Sequence, residues 1–95
     1  MMMMMTAEWD VKDNAVWFEI VQSEKTVACR IDGDTLWKYF DAESSAEVFA
    51  MRAFTLHSPA IEALAVEKAT RGEFSPYPNR PGHIVWLRGE DVEVE

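Results

Sequence analysis

Ninety-five residues make one small domain and leave no room for a second. Apolar residues form 48% of the chain and charged residues 27%, and 17 acids against 9 bases give a formal net charge of −8. That balance argues against a domain held mainly on nucleic-acid phosphates and against an anionic membrane surface, and no apolar run approaches the roughly 20 residues of a membrane span.

The chain begins with Met1–Met5, which lack the basic start and cleavage site of a signal peptide. Residues 1–7 are expected to fray, with the compact domain running over 8–95. With no secretion signal, the lone Cys29 is expected in a reducing cytoplasm.

The first strong element is Ala15 to Gln22, whose β-branched and aromatic residues suit a strand. Thr26 to Ile31 follows after a short polar gap, so the two runs predict an antiparallel hairpin. Val16, Phe18, Ile20, Val27, Cys29 and Ile31 share the expected core face. Trp17, Val21 and Ala28 fall on the other. Asp32 or Asp34 is positioned to cap a helix of about two turns carrying Leu36, Trp37, Tyr39 and Phe40.

Ser44 or Ser45 is the expected cap of the next helix. At about 100° per residue, one stripe holds Ala46, Phe49, Ala50, Ala53, His57, Ala60, Ile61, Leu64 and Lys68. This predicts either one long helix over 46–71 bent at Pro59, or two helices broken at 57–59. Gly72 is the expected stop. Residues 73–82 hold three prolines and read as a loop. His83 to Arg88 reads as a third strand, and the final Val-Glu-Val-Glu as an edge strand or a frayed end.

Taken together, these segments carry a pattern of motifs. Ala15, Val16 and Phe18 are followed by Val27, Cys29 and Ile31, then by Leu36 and Phe40. Next come Ala46, Glu47 and Phe49, then Ile61, Glu62, Ala65 and Lys68, and finally Leu87, Asp91 and Val92. The pattern, over about residues 8–94, resembles a small bacterial family catalogued as domain of unknown function 1488. The resemblance implies a compact cytoplasmic α+β domain and supplies no activity, substrate or catalytic residue.

The candidates for chemistry are few. Cys29 lies inward on a strand, where a thiol behaves as a small hydrophobe. His57 sits in the middle of the helical stripe, and with His83 it offers no close metal-binding spacing. Lys68, on the same stripe, is expected either to snorkel or to be paired. No phosphate-cradling or nucleophile-elbow motif is present. Trp17, Val21, Ala28 and Trp86 are the expected exposed patch, unless Trp9, the N-terminal segment or the proline-rich loop covers it.

The expected fold is α+β: a small antiparallel sheet in β-β-α-α-β order, packed on one face by a short helix and a long, bent or broken one. The expected role is a non-enzymatic cytoplasmic module that binds a protein or a second copy of itself, with no catalytic residue, cofactor, metal, nucleic acid, membrane or small molecule. An acidic regulator of a basic protein surface is the alternative, motivated by the −8 charge. A small ligand binder or enzyme using His57 and Lys68 stands behind it.

Overall fold

The structure, a computed structural model, describes residues 7–76 and 83–92. Met1–Met5, most of the proline-rich loop and the last three residues lie outside them. The fold is α+β, with strands β1 (Glu8–Asp10), β2 (Ala15–Gln22), β3 (Lys25–Asp32), β4 (Ser75–Pro76) and β5 (His83–Leu87). The helices are α1 (Gly33–Tyr39), α2 (Glu47–Leu56), α3 (Ser58–Thr70) and α4 (Gly89–Val92). One sheet is formed in the order β1-β2-β3-β5-β4.

The β2–β3 hairpin is the centre of the sheet, with Phe18 opposite Cys29 and Ile20 opposite Val27. A two-residue turn joins the strands, so Gln22 pairs directly with Lys25. Both turn residues are left-handed, Ser23 at φ 53° and Glu24 at φ 65°. This is the sign pattern of a type I′ turn, which follows the right-handed strand twist and favours Asn-Gly. Ser23→Asn combined with Glu24→Gly is therefore expected to stabilise the fold by about 1 kcal/mol. Urea unfolding would show a higher midpoint at an unchanged slope.

The core face is the one the alternation predicts. Val16, Phe18, Ile20, Cys29 and Ile31 are buried, and β5 adds Val85 and Leu87. Over them lie Leu36 and Phe40 of the α1 segment, Ala50, Ala53 and Phe54 of α2, and Ile61, Ala65 and Ala69 of α3. Phe18 and Phe54 join the layers, their ring centroids 5.1 Å apart.

The sheet is mixed rather than antiparallel, because β5 runs parallel to β3, with Cys29 opposite Val85 and Ile31 opposite Leu87. Three helices separate these strands, and such a crossover returns the chain to enter alongside β3 in the same direction. Alternation alone cannot reveal this, since both strand directions share a period of two. β1 and β4 are too short to stand out in sequence.

The caps also differ from expectation. Asp32 occupies the N-cap position of α1 but makes no side-chain capping bond. The Gly33 amide instead donates to the Asn14 carbonyl at 2.9 Å. Ala46 is the N-cap of α2, and Ser44 Oγ accepts from the Ala46 amide at 3.1 Å. The 46–71 segment is broken at His57, with Pro59 in the first turn of α3, where a missing N–H costs nothing. The buried set differs from the expected stripe: Phe54, Ala65 and Ala69 face inward, while Ala46 and Ala60 are exposed. Gly72, at φ 75°, ends the segment, its amide donating to the Ala69 carbonyl. Val92, expected in an edge strand or a frayed end, belongs to α4.

Candidate functional site

The outer face of the sheet carries a cross-strand row of Trp17, Arg30 and Trp86. Trp17 is 6% exposed, so of the two alternatives for this position, open or covered, the structure has the covered one. β1 pairs alongside it, and its indole N–H donates to Asp10 Oδ2 at 2.9 Å. Asp10 Oδ1 also accepts from the Lys12 and Asp13 amides. The indole bond is the main cause holding the Asp10 carboxyl below its usual range.

Arg30 is buried between the tryptophans in this row, and its guanidinium lies 4.2 Å from the centroid of Trp86. It is 3.4 Å from Asp32 and 3.9 Å from Asp13. Arg88 approaches the same Trp86 ring at 4.1 Å. Burial pushes the Asp32 carboxyl up, against the pull of Arg30. Val21 is exposed and Ala28 half-buried toward the hairpin tip. The four residues expected as one apolar patch are thus interrupted by a packed cation.

Lys68 does not snorkel. It is buried, and its Nζ donates to the Trp86 carbonyl at 2.7 Å and to Asp91 Oδ2 at 2.8 Å. Asp91 Oδ2 also accepts from the Arg88 amide at 2.8 Å. These bonds tie α3 to β5 and α4, and they occupy the amine of Lys68.

Cys29 is fully buried, and burial pushes its thiol up to about 12. At pH 8 the native thiol is therefore almost wholly protonated and closed to reagents. Labelling with a disulfide reagent is expected to follow opening of the fold, becoming fast in denaturing urea. Fast labelling of the native chain would show the thiol to be accessible.

His57 stands at the α2–α3 break, its ring 5.5 Å from that of Phe40. It borders an open cleft of about 350 Å³ between α2 and the segment after α1. The apolar lining comes from Phe40, Ala42, Phe49, Ala53 and Leu56, and the polar lining from Asp41, Glu43, Arg52 and His57. Asp41 holds the loop wall through a left-handed φ of 61°, and the Phe40 and Ala42 amides both donate to the Leu36 carbonyl. Lys68 does not line this cleft. Leu56, which lines it, is 73% exposed, and Val48, on α2 outside the lining, is 62% exposed. Sequence reasoning passed over this surface because it followed the core stripe; the signal was that Val48 and Leu56 are apolar yet off that stripe.

Among the described residues, no three His, Cys, Asp or Glu side chains converge in metal-binding geometry. Among them also, no helix is long and apolar enough to cross a membrane. The class of protein is therefore an α+β domain with a helix-lined cleft and a packed outer sheet face. A family model described as "Protein of unknown function (DUF1488)" matches residues 5–79, and the chain belongs to that family. The Leu87, Asp91 and Val92 motif lies beyond the matched stretch. No curated protein and no solved structure matches the chain.

Proposed function

We propose that this chain is a non-enzymatic protein-interaction module of the cytoplasm, acting through the α2 face and its cleft. The observation that carries this reading is the exposure of Val48 and Leu56 beside a cleft floored by Phe40 and Phe49. Apolar side chains left in water at helical spacing favour burial against another surface. The groups suited to chemistry are otherwise occupied: Lys68 is held by Asp91, and the Cys29 thiol is protonated in the core.

Val48→Asp with Leu56→Asp tests the reading, because both side chains project away from the core. In its native extract the wild-type chain is expected to sediment above the mass of a single chain, and the variant at that mass. A wild-type chain that sediments alone overturns the reading. If Trp86→Ser rather than the α2 variant releases the chain, the interaction surface is the outer sheet face with Trp17, Val21, Ala28 and Trp86.

A further inference from the structure

We propose that the α2 cleft receives an amphipathic helical segment of a basic partner protein; this rests on the interaction reading above and names the occupant. Three observations select it. Val48 and Leu56 are eight residues apart on one helix, or about 12 Å, which matches two turns of a facing helix. Phe40, Phe49 and Leu56 line the cleft and offer it contact for apolar side chains. Asp41 and Glu43 line the loop wall, exposed, and among the described residues neither makes an ion pair.

Charge decides between occupants. A chain of net charge −8 attracts a basic segment at long range and repels an acidic one. A second copy fits worse on two counts. Each copy carries −8, and an antiparallel crossing centred on the Val48, Arg52 and Leu56 stripe sets Arg52 against its own copy. Arg52 instead lies 5.9 Å from the Phe49 ring, on the wall opposite the carboxylates. The partner helix therefore places its bases over Asp41 and Glu43 and its apolar side chains on Phe49 and Leu56.

The test is selection of displayed random helical peptides on the immobilised full-length chain. Recovered peptides are expected to carry a net positive charge and apolar residues at i, i+4 and i+7. Leu56→Asp is expected to weaken their binding about ten-fold or more. Asp41→Asn with Glu43→Lys should reduce the preference for basic peptides and weaken their binding in low salt more than in high salt. Asn is used at position 41 because it tolerates the left-handed backbone there. Unchanged urea midpoints establish that the variants fold. Neutral or acidic peptides, binding indifferent to Leu56→Asp, or no recovered peptide overturns the proposal. If no peptide is recovered but Val48→Asp with Leu56→Asp still reduces the chain's sedimentation in extract, the interaction reading stands and the assigned occupant is wrong.

Discussion

Lys68→Ala is expected to cost the fold about 3–5 kcal/mol, because it leaves the Asp91 carboxylate charged and stranded beside the core. The Lys68 and Asp91 side chains are 10% and 11% exposed, so water cannot replace the lost partner at the surface value of an ion pair. The Trp86 carbonyl loses its donor as well, since Nζ approaches it at 2.7 Å. For a domain of this length, such a loss lowers Tm by about 4–8 °C for each kcal/mol. Lys68→Met with Asp91→Leu removes both charges together and should cost clearly less than the sum of the single variants. Urea unfolding of the four chains in the cycle checks this; additive losses would mean that the two side chains do not act as a pair.

Arg30→Ala is expected to cost about 3 kcal/mol or more, and the cause is the number of groups that depend on one guanidinium. It lies over Trp86 and close to Asp32 and Asp13, while Asp10 beyond is held by Trp17. Removing it leaves carboxylates gathered without their cation and opens a space beside two tryptophans. Arg30→Lys restores the charge but not the flat surface that stacks on an indole, so it should recover only part of the loss. Thermal unfolding with indole fluorescence reads both effects. If Arg30→Ala unfolds at the wild-type temperature, the outer face is held by its aromatic packing alone.

These two clusters show what a single sequence reveals. The inward face of Val16, Phe18, Ile20, Cys29 and Ile31 was readable because alternation fixes side within a strand. The helical stop at Gly72 was readable, and at Pro59 the choice between a bend and a break, because those residue types constrain φ and the N–H. The pairing of Lys68 with Asp91 was not, because it joins groups 23 residues apart through a parallel strand whose direction leaves no mark on its composition. The stacking of Arg30 on Trp86 needed the same register. The cleft beside His57 depends on where the chain turns after α1, which a left-handed Asp41 decides and its residue type only permits.

The place of β5 has a consequence for synthesis on the ribosome. This late segment enters beside β3, while the earlier β4 lies at the margin beyond it. A nascent chain can pair β2 with β3 early, but the Cys29–Ile31 edge of β3 and the amine of Lys68 wait for β5 and Asp91. Truncation before residue 83 would therefore leave that strand edge and the Lys68 amine without their partners, in a chain that chaperones and proteases treat as unfinished.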